Sequence, residues 1–143
     1  MHDVCAPISL AVREPDAPTA AQRAGIDGAL ALWRAHGVGT MSVIDVAAAE
    51  PGAIELRFQP AALPFHGLYD DQTGTIYINS AIEDLSPLSI TIAHELGHSF
   101  GLPHVPAAVR SSLMNPGNLV TPPTDADRAA VEALWGDCTV PSP

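Results

Sequence analysis

The segment His94-Glu95-Leu96-Gly97-His98-Ser99-Phe100-Gly101-Leu102-Pro103-His104 carries more chemistry than any other stretch of this chain. Residues four apart on a helix share one face, with Cβ atoms about 5–6 Å apart. His94 and His98 can therefore turn both rings toward one ion at about 2.0–2.1 Å. Glu95 lies beside His94 and points partly sideways, near the ion's water and not onto the ion. Gly101 can take a positive φ and break the helix sharply, which brings the chain back so that His104 becomes a third ligand. Three neutral protein ligands leave one position open for water. Zinc brings the pKa of such a water toward about 7 and polarises a carbonyl as a Lewis acid. Glu95 would take the water's proton and pass it to the leaving amine. The expectation is peptide-bond hydrolysis without a covalent intermediate. Ordinary structural histidines are the alternative. The five fixed positions of HExxHxxGxxH, set on a helix with its own start signal, count against it.

That helix is expected to open at Ser86-Pro87, with Ser86 as N-cap and Pro87 at the first helical position, and to run to about Ser99 or Phe100. Upstream, residues 8–14 alternate apolar and polar and predict a strand. Thr19 is a good N-cap. Residues 20–36 place Ile26, Leu30 and Trp33 at helical spacing, and Gly37 and Gly39 end that helix. Residues 41–46 and 53–59 predict two further strands. Pro60 and Pro64 interrupt the loop that follows. Residues 65–69 are expected as a short edge strand, 70–74 as a turn and 75–79 as a strand. Downstream, residues 104–123 are rich in Pro, Ser, Gly and Asn and read as irregular. Thr124 caps a last helix over 125–135, Asp127 gives a variant of the capping box, and Gly136 stops it. The order predicts an α+β fold with a mixed sheet of four to five strands, an active-site helix, a second packing helix and a C-terminal helix.

A length of 143 residues favours one domain, and 47% hydrophobic content is enough for a core. The net charge is −10, lysine is absent and no basic patch forms. Nucleic acid and an anionic membrane surface are thus not expected as partners. The acidity serves solubility, with a preference for basic substrates as the sharper alternative. No apolar run reaches the roughly 18 residues of a membrane helix. Met1-His2-Asp3-Val4-Cys5 lacks the charged and apolar regions of a signal peptide, which suits a mature domain. Two cysteines, Cys5 and Cys138, fit one disulfide in a secreted protein. Two free thiols, or Cys5 as a latency ligand on zinc, remain open.

The motif resembles that of the metzincin clan of zinc endopeptidases. It looks most like the matrixins, whose motif commonly reads HELGHSLGL followed by a third His. Ser111-Ser112-Leu113-Met114-Asn115-Pro116 resembles the Met-turn, which implies that Met114 floors the metal without ligating it. Astacins and serralysins tend to carry a tyrosine where Pro116 stands, so Glu95 is left as the main acid/base. The matrixin order of strands and helices, and a closing helix like Leu134-Trp135-Gly136, extend the likeness over most of the chain.

The resemblance implies a metzincin-like zincin fold, with an N-terminal subdomain of about 1–101 and a C-terminal subdomain of about 102–143. It implies that residues 115–120, Asn115 and Pro116 among them, wall the S1′ specificity pocket. It puts Gly67 and Leu68 on an edge strand that binds substrate backbone by strand addition. It places the N-terminal segment near the last helix, which makes a Cys5–Cys138 bridge reasonable.

Departures from the family are Val105 after the third His, a slightly long 104–114 stretch and a short loop without the ligands of a second zinc. His66 reads as a solvated side chain. Asp70 and Asp71 read as a polar turn, so calcium is possible but unsupported. His2 and His36 carry no assigned role. Arg13-Glu14-Pro15-Asp16 resembles a cysteine-switch peptide only in part and lacks the cysteine. The expected protein is a secreted, extracellular, monomeric zinc endopeptidase acting on peptide or protein substrates. The rivals are a zinc-retaining peptide-binding module with little turnover, which an intact Glu95 argues against, and a zinc amidase acting on non-protein substrates.

Overall fold

The strand Ile54–Gln59 buries Ile54, Leu56 and Phe58 and leaves Glu55 and Arg57 half-buried on its other face. That alternation is what one packed sheet face demands. A computed structural model of the chain describes residues 1–12, 18–38, 41–44, 53–62 and 65–136. In chain order the elements are β1 (Ile8–Val12), α1 (Ala20–Arg34), β2 (Met41–Ile44), β3 (Ile54–Gln59), β4 (Gly67–Asp70), β5 (Thr75–Asn79), α2 (Leu85–Ser99) and α3 (Asp125–Trp135). The strands form one five-stranded sheet in the order β2-β1-β3-β5-β4. The pairs β1–β2, β1–β3 and β3–β5 are parallel, and β4 runs antiparallel to β5. The fold is therefore α+β with a mixed sheet, as expected. Among the described residues β4 has a partner on one side only, which leaves it as an edge strand.

α1 begins at Thr19, whose hydroxyl accepts from the Gln22 N–H while the Gln22 side chain reaches back to the Thr19 N–H, a complete capping box. Its apolar stripe buries Ile26, Leu30 and Trp33 against α2. Trp33 Nε1 donates to the Ala93 carbonyl at 2.9 Å, one residue before His94. α2 is buried along nearly its whole length, with Leu88, Ile92, Ala93 and Leu96 fully covered. It packs on α1 and also on β4 and β5. The core thus fixes α2 between a helix and the sheet, and with it the two histidines near its end.

The start of α2 corrects the sequence reading. The N-cap is Asp84, which makes no side-chain capping bond, and not Ser86. Pro87 falls third in the helix, still within the first turn, where a missing N–H costs nothing. β4 likewise begins at Gly67, two residues later than expected. Val46, Gly39, Pro64, the segment 13–16 and Cys138 lie outside the described residues. Among the described residues no helix is long and apolar enough to cross a membrane.

Candidate metal centre

α2 presents His94 and His98 one turn apart near its C-terminal end. Gly101 takes φ +99°, a conformation that side chains with a Cβ rarely adopt. The chain turns there and Leu102 N–H bonds back to the Gly97 carbonyl at 3.0 Å. His104 then joins the other two. The ring centroids stand 4.9 Å (His94–His98), 5.3 Å (His94–His104) and 4.6 Å (His98–His104) apart. One nitrogen from each ring lies within 4.8 Å of the others, and no other metal-capable group of this kind occurs among the described residues.

Two of the rings are oriented by hydrogen bonds on the far side. His94 Nδ1 is 2.7 Å from the Leu113 carbonyl oxygen, and His98 Nδ1 is 2.8 Å from that of Leu102. A carbonyl can only accept, so each Nδ1 carries the proton and each Nε2 keeps its lone pair. Burial is the main effect on both rings and disfavours their charged forms. It brings His94 down to about 4 and lowers His98 as well. The imidazoles are therefore neutral near pH 7, the form that binds metal. Neutral, converging, pre-oriented nitrogens fit a divalent transition-metal ion.

Glu95 is buried beside the histidines, and burial pushes its carboxyl up to about 7, against a bond from the Tyr69 backbone that favours the anion. Such a group is poised to exchange a proton near neutrality. It lies against the open strand: a Cβ built on Gly67 would stand 3.1 Å from Glu95 Cγ.

Met114 is buried beneath the histidine helix. A Cβ on Gly97 would come within 2.5 Å of the Met114 sulfur, so the glycine between His94 and His98 is what lets the methionine seat there. The loop around Met114 is held by polar clamps. Asp127, 1% exposed on α3, receives Arg110 Nη1 at 2.9 Å, Ser112 Oγ at 2.5 Å, Leu113 N at 2.9 Å and Thr124 N at 3.0 Å. Burial works against its charge, but these donors outweigh it and hold the carboxyl below its usual range. The Leu113 peptide is the link, because its N–H binds Asp127 while its carbonyl orients His94. The sequence marked Asp127 as a helix cap, and it is one. Its second task, gripping a loop 14 to 17 residues earlier, leaves no local signal.

Two hollows flank the histidines. One, of about 560 Å³, is lined by Gly67, Leu68, Tyr69, Glu95, His98 and His104. A smaller one of about 230 Å³ adjoins Phe65, His66, Thr91, His94, Gly117 and Asn118. Gly67 and Leu68 thus stand at the centre, with Leu68 52% exposed on the open edge of β4. Asn115 and Pro116 line neither hollow; Gly117 and Asn118, just beyond them, line the smaller. The Asn115 amide is committed to the loop, donating to the Val105 and Arg110 carbonyls and accepting from Ser112 N–H. Cys5 is away from this group, with its Sγ 3.8 Å from the Trp135 carbonyl at the end of α3. No protein-family model matches the chain, and no curated protein matches it significantly.

Proposed function

We propose that this chain is a zinc-dependent endopeptidase of the metzincin type, closest to the matrixin catalytic domain. The observation that carries the reading is the grouping of three imidazole nitrogens within 4.8 Å of one another, with the buried Glu95 carboxyl beside them and an open strand edge next to it. His94, His98 and His104 would hold the ion. Bound there, zinc supplies Lewis acidity toward a carbonyl and an acidified water. Glu95 would accept the proton of the attacking water and return it to the departing amine. The open edge of β4, at Gly67 and Leu68, pairs with the backbone of an extended peptide and holds its scissile bond across the histidines. Met114 forms an apolar floor under the ligands.

The same reading makes the protein secreted, with Cys5 bridged to Cys138. The position of Cys5 against the last residue of α3, three residues before Cys138, supports that pairing. Quenched-fluorescence peptides and casein test the activity. Cleavage should vanish with a chelator, return with zinc and fall by at least about a thousandfold in Glu95→Ala, which removes the proton carrier. Zinc-loaded protein that cleaves nothing across a broad peptide library would overturn the proposal.

A further inference from the structure

The smaller hollow beside the histidines is polar by composition, yet most of its polar groups are already committed. Thr91 Oγ1 donates to the Pro87 carbonyl at 2.7 Å. Asn118 Nδ2 donates to the Leu113 and Thr121 carbonyls, and its Oδ1 accepts from the Val120 and Thr121 N–H groups. An amide side chain has two donors and two acceptor sites, so Asn118 has nothing left to offer. Phe65 and Gly117 bring no polar side chain. His94 and His104 face the metal position, and Glu95 is the proton carrier.

The Thr91 hydroxyl keeps only acceptor capacity, and among the described lining side chains His66 is the exception. Its imidazole is half-buried, sits near enough to His94 to influence it electrostatically, and makes no hydrogen bond to any described residue. A neutral imidazole has one donor and one acceptor to place. Its carbonyl is fixed at 2.8 Å by the Asn79 N–H, which anchors the residue just ahead of β4.

Resting on the peptidase reading, we infer that His66 is a specificity-determining residue, and that the pocket it lines selects a substrate side chain bearing a hydroxyl or carboxamide. Gly67, Glu95 and His104 line both hollows. A peptide laid along β4 with its scissile carbonyl at the histidines puts one neighbouring side chain into the smaller hollow. The volume of about 230 Å³ equals roughly eight waters at about 30 Å³ each, room for one side chain. An apolar side chain there would strip water from His66 and give it no partner, whereas a carboxamide or hydroxyl meets it.

Two dipeptides capped with a metal-chelating hydroxamate test this, identical except for asparagine or leucine, near-isosteres, at the position that enters the pocket. Binding is measured by calorimetry on the zinc-loaded protein, with metal content checked for each variant. The wild type should prefer the asparagine compound by about tenfold, the weight of one hydrogen bond in a partly desolvated site. His66→Leu should erase or reverse that preference with zinc content unchanged, and His66→Gln, which keeps a donor and an acceptor, should retain it. A wild-type preference for leucine, or an asparagine preference that survives in His66→Leu, overturns the inference. Peptide cleavage separates it from the reading beneath it. Cleavage with leucine favoured in that position sinks the role of His66 alone. An asparagine preference in binding without any cleavage sinks the peptidase reading alone. Failure of both compounds to bind sinks both.

Discussion

The two halves of the candidate metal centre are built by different physics. His94 and His98 stand on a helix wedged between α1 and the sheet, where Leu88, Ile92, Ala93 and Leu96 are fully buried. His104 and Met114 stand on the irregular stretch between Ser99 and Asp125. That stretch is held by side chains that bind backbone: Asn115, Asn118 and Asp127. Burial is spread over many atoms, so the helical half has no single critical bond. The loop half concentrates its hold on a few polar groups, and each buried donor depends on one acceptor. The helix should therefore yield gradually to substitution and the loop abruptly.

Asp127→Ala is the sharpest way to break that contrast. It removes the acceptor of four donors, from Arg110, Ser112, Leu113 and Thr124, and leaves two of them, Ser112 Oγ and Leu113 N–H, in a dry interior. Removing one partner of a buried charged cluster costs about 3–5 kcal/mol, to be read by urea denaturation of the metal-free protein. Because Leu113 also orients His94, zinc affinity should drop by about 10–100-fold in a chelator competition. A stability loss below about 1 kcal/mol would mean that something other than the carboxylate holds the loop.

The same group gives the half an acid limit. The folded pKa of Asp127 is lowered, so its contribution is fully present above the unfolded value of about 3.9. It is lost as pH falls from there through the lower folded value. In Asp127→Asn this component of the acid transition should disappear, which stability curves between pH 5 and 2 would register.

Gly97→Ala tests the seam between the halves. The new Cβ would meet the Met114 sulfur at 2.5 Å. Overpacking of this kind costs about 1–3 kcal/mol. The thermal midpoint should fall and zinc should bind more weakly, since the methionine must move under the histidines. Normal stability and affinity in this variant would show that Met114 can shift freely, and that the two halves are not coupled through it.

What could be read from the sequence follows the same division. Strands β3 and β5 and helices α1 and α3 sit where alternation, helical spacing and threonine caps place them, because those signals are local and repeat. The three histidines come together because a four-residue helical spacing and a glycine turn are also local. The start of α2 lies two residues ahead of the signal: Ser86-Pro87 reads as a strong start, but the helix is capped at Asp84, and a proline is tolerated anywhere in the first turn. The grip of Asp127 on Ser112 and Leu113, and the place of His66 in the smaller hollow, depend on chain segments that meet only after folding. No pattern within a few residues of either side chain encodes those meetings.

The smallest expected effects separate the halves most cleanly, because α1 and α3 start with the same device. Thr19 and Thr124 each cap a helix through a complete capping box. Either Thr→Ala change should cost about 1 kcal/mol. At Thr19 the partner is Gln22, a half-buried side chain that makes no contact with the three histidines, so the loss should stay in stability and leave zinc affinity unchanged. At Thr124 the partner is Asp127, whose carboxylate also holds Leu113. Loosening that cap lets the carboxylate drift from the loop, so Thr124→Ala should weaken zinc binding as well, by about two- to fivefold. Equal zinc affinities in the two variants would show that the carboxylate is fixed by Arg110 and Ser112 alone, and that the cap and the clamp on Asp127 act independently.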